Sequence, residues 1–258
     1  MVKIYFFGTR SGTEPMEGMH HTSLGVEVGG AYYFVDAGEN CTDSSFLMGV
    51  DPLKIKAIFI THSHIDHTAG LPGLIGNIRK MAILDDNSTI DRRVELLIPD
   101  MECWMGFYKA LCRCDSKMFE TFELNASPVY DGIIYDDEVV RVTAFHNHHM
   151  QQEKGDGWMS YSYLFEVGKK KIVFSGDVRD MYDLDQVIGD GCDIAIIETG
   201  HHKVQTVGEY VATKNIGKVI LTHHGREIIN GRQEAQKKVE QFKCKGIIAY
   251  DGMIEEII

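Results

Sequence analysis

Short apolar runs alternate along the chain with polar, glycine-punctuated turns, which reads as strands and helices in alternation. Val2 to Phe7 predicts a first strand that opens into the turn-rich stretch Gly8 to Pro15. Leu24 to Val28 and Ala31 to Val35, separated by Gly29-Gly30, predict a hairpin by the two-residue turn rule. Further on, Thr42 to Val50 reads as a short helix, Ala57 to Ile60 as a strand, and Leu71 as the start of a helix packed on a sheet. Val94 to Ile98 is a predicted strand, and Met101 to Cys112 a helix rich in Met and aromatic residues, a core or interface composition. Asp115 to Pro128 has no clear period and is expected to be a helical lid or a dimer contact. Glu138 to Phe145 predicts a strand; Ser160 to Val167 and Lys171 to Ser175 predict a second hairpin. Strands at Asp193 to Ile197, Lys218 to Thr222 and Gly246 to Tyr250 alternate with helices at Val204 to Asn215 and Arg226 to Phe242.

The apolar run Ala57 to Ile60 ends in Thr61-His62-Ser63-His64-Ile65-Asp66-His67, three histidines and an aspartate within six positions. Alternate side chains of an extended segment share a face, so His62 and His64 can converge on one cation. Asp66 and His67, just beyond the strand, can bend towards a second. Imidazole nitrogen and carboxylate oxygen are ligands of zinc, iron or manganese. A polar loop whose histidines bond only to backbone is the plainer reading, and the density of histidines argues against it. Other predicted strands end in His146-Asn147-His148-His149, in Gly176-Asp177, in Glu198-Thr199-Gly200-His201-His202 and in His223-His224-Gly225. Strand ends are where a rigid scaffold offers loops for chemistry.

Hydrophobic content of 44% with 25% charged residues is ordinary for a soluble globular protein with a sizeable core. A net charge of -12 argues against a broad nucleic-acid footprint, which needs clustered Lys and Arg. The densest basic run, Lys169-Lys170-Lys171, reads as a solvated hairpin tip. A small anionic substrate stays compatible with this surface, because bound metal ions invert the local field. No stretch reads as a signal peptide or approaches the length of a membrane span. The six cysteines show no secreted framework, and Cys112-x-Cys114 lacks the Cys-x-x-Cys spacing, which reads as reduced thiols in a cytoplasmic protein. No internal repeat, low-complexity tract or linker divides the chain, so one domain over residues 1–258 is expected.

The segment Thr61 to His67 matches the His-x-His-x-Asp-His signature of the metallo-β-lactamase fold, and the chain resembles its ribonuclease Z-like branch from the first strand to about Gly225. The resemblance implies an α/β, four-layer αββα sandwich: two mixed sheets face to face, helices outside. Alternating strands and helices alone would also fit a doubly wound sheet. Carried over by the resemblance, His62, His64 and a histidine of the 145–149 cluster hold a first metal, and Asp66, His67 and His223 a second, with Asp177 bridging. Family spacing prefers His149 as that third histidine; strand alternation would let His146 and His148 point together instead. His223 is preferred to His224 because Leu221-Thr222-His223 aligns with the last metal motif. The implied cofactors are two divalent ions, zinc first, manganese or iron as alternatives. Asp66 would also take a proton from water. Glu198 and His201 would orient ligands or donate a proton to the leaving group, or else cap the chain locally. Asp36, in Asp36-Ala37-Gly38, would back the metal-binding loop or cap the following turn, and His20-His21 have no assigned role.

Two departures from ribonuclease Z matter. Only a short segment joins His149 to Asp177, with no room for the long basic arm of that branch, and its His-Glu-Ala-Thr motif is Ile197-Glu198-Thr199-Gly200 here. Structured tRNA is therefore not expected as a substrate. The expectation is a metal-dependent hydrolase acting on a phosphodiester of a small or nucleotide-like substrate. A lactone or thioester hydrolase on the same site, or a non-catalytic metal-containing carrier, are the competing readings. No membrane association is expected, and a homodimer stays open because dimers are common in the resembling proteins.

Overall fold

The computed structural model describes residues 1–85, 92–150 and 157–257. They group into two compact units.

The first unit holds Met1–Gly8, His20–Pro128 and Gly252–Ile258. Its strands are β1 (Val2–Gly8), β2 (Ser23–Val28), β3 (Ala31–Val35), β4 (Ile55–Phe59), β5 (Arg93–Leu97) and β6 (Glu123–Ser127), with a C-terminal strand (Ile254–Ile257) numbered β14 below. They form one mixed sheet in the order β14-β1-β2-β3-β4-β5-β6. The β2–β3 hairpin turns at Gly29 (φ 60°) and Gly30 (φ 85°), backbone that only glycine adopts without cost. Strands β3, β4 and β5 pair in parallel, and their apolar side chains point to both faces, so the sequence shows near-continuous Val, Ile and Phe runs. Helices α1 (Cys41–Leu47), α3 (Leu71–Leu84) and α4 (Met101–Cys114) belong to this unit, with a single turn α2 (Ile65–Thr68) between the first two. Leu71, Leu74, Ile75 and Ile78 of α3 and Trp104 and Leu111 of α4 share a core with Phe34, Ile58 and Leu96 of the sheet. Each such side chain removed from water contributes about 2 kcal/mol. Pro72 stands in the first turn of α3, where its missing N–H costs nothing, and Asp100 caps α4 by accepting from Glu102 N and Cys103 N at 2.9 and 3.0 Å.

The second unit holds Thr9–Met19 and Val129–Asp251. Its strands are β7 (Gly132–Asp136), β8 (Arg141–His146), β9 (Tyr161–Val167), β10 (Lys170–Phe174), β11 (Cys192–Thr199), β12 (Ile216–His224) and β13 (Lys245–Ile248). Their sheet runs β13-β12-β11-β10-β9-β8-β7. Helices α5 (Asp185–Ile188), α6 (Val204–Val211) and α7 (Arg226–Val239) cover it, and α7 is interrupted at Gly231 (φ −148°, ψ 44°). Its core joins Val173, Ala195, Ile197 and Leu221 of the sheet to Val204, Val207, Ile228 and Val239 of the helices.

The two sheets repeat one pattern of pairing. Starting from β14 or from β7, three antiparallel contacts are followed by three parallel ones. No sequence repeat announces this. In both sheets the residue after the first parallel strand is tied to the next strand: Asp36 N donates to Phe59 O at 2.8 Å, and Ser175 N to Ile196 O at 2.9 Å.

Three expectations are corrected. Asp115 to Pro128 is no helical lid: after a short turn it contains β6, paired in parallel with β5 at the sheet edge. Strand β7 was not anticipated, and Gly246 to Tyr250 is not the last strand, because β14 follows and pairs antiparallel with β1. All three cases are edge strands, whose mixed exposure carries little period-2 signal. No helix among the described residues is long and apolar enough to cross a membrane.

Candidate metal centre

In the first unit the signature leaves β4 at Phe59 and folds into α2. The carboxylate of Asp36 organises it. One oxygen accepts Thr61 N–H at 2.7 Å, the other accepts the Thr61 hydroxyl at 2.9 Å and lies 2.8 Å from His67 Nδ1. A carboxylate accepts only, so Thr61 O–H and His67 Nδ1–H must be the donors. With its proton given to Asp36, Thr61 Oγ1 is left to accept from His62 Nδ1, 3.1 Å away. Both imidazoles are thereby assigned the tautomer with the proton on Nδ1, which makes Nε2 of His62 and His67 the acceptor nitrogen. His62 Nε2 lies 3.0 Å from His64 Nδ1, and His67 Nε2 lies 3.6 Å from Asp66 Oδ2. Asp66 is only 7% exposed and His62 is fully buried. Converging imidazole nitrogens and a buried carboxylate are the donor chemistry of a zinc-class cation, so these residues fit a metal.

Asp36 itself sits at φ 61°, a left-handed conformation uncommon outside glycine and asparagine-like residues. Asp36→Ala strands the donors of Thr61 and His67, and is expected to weaken zinc binding about 10- to 100-fold. Calorimetric zinc titration checks this, and Asp36→Asn, which tolerates the same backbone and still accepts from Thr61 N, should lose less.

The second unit builds its cluster around Asp177, just past the end of β10 and 2% exposed. His223 Nδ1 lies 3.3 Å from one carboxylate oxygen; His149 Nε2 and His201 Nδ1 lie 3.7 and 3.8 Å from the other. Donor atoms of Asp177, Glu198, His201 and His223 all lie within 4.8 Å of one another. Glu198, on β11, accepts from His201 N at 2.9 Å and Val178 N at 3.4 Å, with His201 Nδ1 at 3.1 Å. Burial alone would raise the Glu198 carboxyl, but hydrogen bonds from His201 and His223 outweigh it and hold the group far below the usual carboxylate range. The same bond to Glu198 pushes His201 upward against its partial burial. His223 stands at φ 49°, where β11 and β12 slip register after Glu198.

The neighbouring histidines have other partners. His224 is buried, its Nε2 2.9 Å from Ala249 O and its Nδ1 3.2 Å from Thr199 Oγ1, and burial pushes it down to about 4. It is a neutral structural residue. His146 pairs with Asp131 at 2.7 Å and stacks on Trp158 with ring centroids 4.1 Å apart. His148 pairs with Asp183 and its side chain is 53% exposed. His21 pairs with Glu39 at 2.6 Å. Of the three candidates in the 145–149 cluster, His149 is therefore the one whose ring lies at Asp177. Sequence reading noticed Asp36 but missed Thr61, whose place directly before His62 was the available signal. It also missed Asp183.

Residues 2–240 match the family model described as anti-Pycsar protein Apyc1. The chain belongs to that family. Among curated relatives of this Apyc1-family chain is the ribonuclease Z of Methanothermobacter thermautotrophicus, 29% identical over 147 residues that cover 56% of this chain and 43% of the relative. The chain spans under half the length of the curated relatives it first matches, 43% and 49%. The metallo-β-lactamase fold protein YhfI from Bacillus subtilis is similar in structure, with TM-score 0.73 and 17% identity over 99% of both chains. The short form of human tRNase Z gives the same figures, TM-score 0.73 and 17% identity over 99% of both chains. These likenesses show the metallo-β-lactamase fold of the α/β class, built from two mixed sheets flanked by helices, as the ribonuclease Z-like resemblance implied.

Proposed function

We propose that the chain is a metal-dependent hydrolase that cleaves a phosphodiester in a small or nucleotide-like substrate, with residues 1–258 working as one catalytic domain. The observation that carries this reading is Asp177 ringed by the imidazoles of His149, His201 and His223, with the buried Glu198 carboxylate 3.1 Å from His201 Nδ1 and 3.8 Å from His223 Nδ1. The Asp36-oriented histidines of the other unit supply a matching donor set. In the ligand order implied by the family signature, His62, His64 and His149 would hold one divalent cation and Asp66, His67 and His223 a second, with Asp177 available to both. Zinc suits this set best, with manganese or iron as alternatives. When bound, two such cations lower the pKa of a water and polarise a phosphoryl oxygen.

The protein's own residues then move the protons. Asp66 accepts one from the attacking water. Glu198 holds His201 through Nδ1, favours its protonated form, and leaves the half-exposed Nε2 edge to donate to the departing oxygen. His201→Ala should lower kcat about 10²- to 10⁴-fold on a substrate with an alkoxide leaving group. A p-nitrophenolate leaving group needs no proton, so bis(p-nitrophenyl) phosphate should suffer far less, and equal losses on both would remove the acid role.

The curated relative's name says ribonuclease and the human neighbour's says tRNase, whereas the net charge of -12 favours a small substrate. A panel decides: zinc- and manganese-loaded protein with bis(p-nitrophenyl) phosphate, a cyclic dinucleotide, a tRNA precursor, a thioester and a lactone. Cleavage of the two small phosphodiesters is the expected result. Cleavage of the acyl compounds alone, of tRNA alone, or of nothing would overturn it, and the last would favour a carrier.

A further inference from the structure

The histidine cluster after β8 contains one residue, His148, that the proposed ligand set leaves without a task. Its ring does not face Asp177. The Nδ1 edge meets Asp183 Oδ1, while its backbone N–H reaches Asp183 Oδ2 at 3.3 Å. Asp183 lies on the 3-10 turn Met181–Leu184, and its side chain is only 6% exposed. The same Oδ2 also accepts from Arg179 N at 3.1 Å and Asp180 N at 3.3 Å, the residues that follow Asp177. One buried carboxylate thus gathers donors from the His148–His149 segment and from the turn that carries Asp177.

We infer that Asp183 is a positioning residue, which through His148 holds the ring of His149 against the carboxylate of Asp177. Asn147 and Met150, which flank His148 and His149, are tied to Ser160 just before β9: Asn147 N donates to Ser160 O and Met150 N to Ser160 Oγ, both at 3.0 Å. His149 lies beyond the end of β8, where no ladder bonds fix its backbone; its own N–H goes to Asn147 Oδ1 at 3.1 Å, a contact internal to the same loop. The bonds to Ser160 hold the loop beside β9 but do not tie it directly to the turn that carries Asp177. Asp183 does, and four N–H groups on a desolvated carboxylate make each contact charge-assisted, worth roughly twice a neutral hydrogen bond. His148 meets Asp183 while the adjacent His149 lies at Asp177, so anchoring the first constrains the second.

The inference rests on the reading of His149 and Asp177 as ligands, and the test separates the two. Zinc is titrated into the apoprotein calorimetrically, and the visible spectrum of the cobalt-loaded protein is recorded, for wild type, Asp183→Ala, His148→Ala, the double variant of these two, His149→Ala and Asp180→Ala. The expected result is a 10- to 100-fold loss of affinity at one of two sites in Asp183→Ala, about the cost of losing a group that orients a ligand. The cobalt spectrum should change with it. His148→Ala should reproduce a large part of the loss, and the double variant should be no worse than Asp183→Ala. Asp180→Ala removes the bond from Tyr182 N at 2.9 Å and so loosens the same turn without touching His148. It should bind zinc as wild type does. Equal losses in Asp180→Ala and Asp183→Ala would reduce Asp183 to a turn cap and overturn the inference, as would wild-type affinity in Asp183→Ala. A loss in His148→Ala as complete as in His149→Ala would make His148 itself a ligand and overturn it too. Wild-type protein that binds no divalent cation would instead sink the underlying metal-site reading.

Discussion

Asp66→Ala should abolish hydrolysis of bis(p-nitrophenyl) phosphate, with kcat falling about 10³-fold or more, while the protein melts close to the wild-type temperature. The activity loss has two sources in the proposed site: a cation ligand is gone, and so is the acceptor for the proton of the attacking water, itself worth about 10²- to 10⁴-fold. The fold survives because Asp66 sits on the single-turn α2, whose anchors are backbone groups elsewhere. His67 O accepts from Ala37 N at 2.8 Å, His64 O accepts from His67 N at 3.0 Å, and Thr68 Oγ1 donates to His64 O at 3.0 Å. Removing a buried carboxylate also relieves its desolvation. Steady-state kinetics, metal content and a thermal melt of the variant check both halves. Wild-type activity in Asp66→Ala would discard the two-metal mechanism, and a collapsed melt would assign Asp66 to the scaffold.

Gly70→Ala should cost about 3 kcal/mol or more, a drop in Tm of about 10 °C for a chain of this size. A Cβ at Gly70 would stand 2.0 Å from Gly38 O and 2.7 Å from Cys41 Sγ. Neither can yield cheaply, because Gly38 O is backbone and Gly70 N is itself bonded to Ala37 O at 2.8 Å. The strand end that must retreat is the one carrying Asp36, so the bonds from Thr61 and His67 loosen together with the packing. Zinc affinity is expected to fall in step with stability. Gly76, inside helix α3 whose N-cap is Gly70, has no heavy atom within 4 Å of its missing Cβ. Gly76→Ala should therefore stabilise by up to about 1 kcal/mol through helix propensity alone. Paired melts of the two variants test whether close approach of backbone, rather than glycine in a helix, is what Gly70 supplies; a harmless Gly70→Ala would refute it.

Much of the fold was legible because its central strands satisfy local rules. The β2–β3 hairpin is visible in Gly29-Gly30, and β4, β11 and β12 in apolar runs that a parallel sheet buries on both faces. The edge strands β6, β7 and β14 were not, because half-exposed strands of mixed polarity carry little period-2 signal, and β6 and β14 are also selected by partners distant in sequence. Strand β14 pairs with β1 from the far end of the chain, which no window of neighbouring residues contains.

The sequence by itself determined the chemistry available to this protein: a compact histidine and aspartate signature, and further His, Asp and Glu at successive strand ends. Residue type and spacing suffice for that, since donor atoms are a property of the side chain. Only the tertiary structure decided which donors face the same point. The period-2 rule lapses at a strand end: loop torsions bring His149 rather than His148 to Asp177, and the register slip with φ 49° at His223 sets it apart from His224. The tautomers of His62 and His67 were also undecided until the fold carried Asp36 to Thr61, 25 residues on in the chain. The proton's position on an imidazole is set by the hydrogen-bond partner that meets it, and that partner arrives only with the fold.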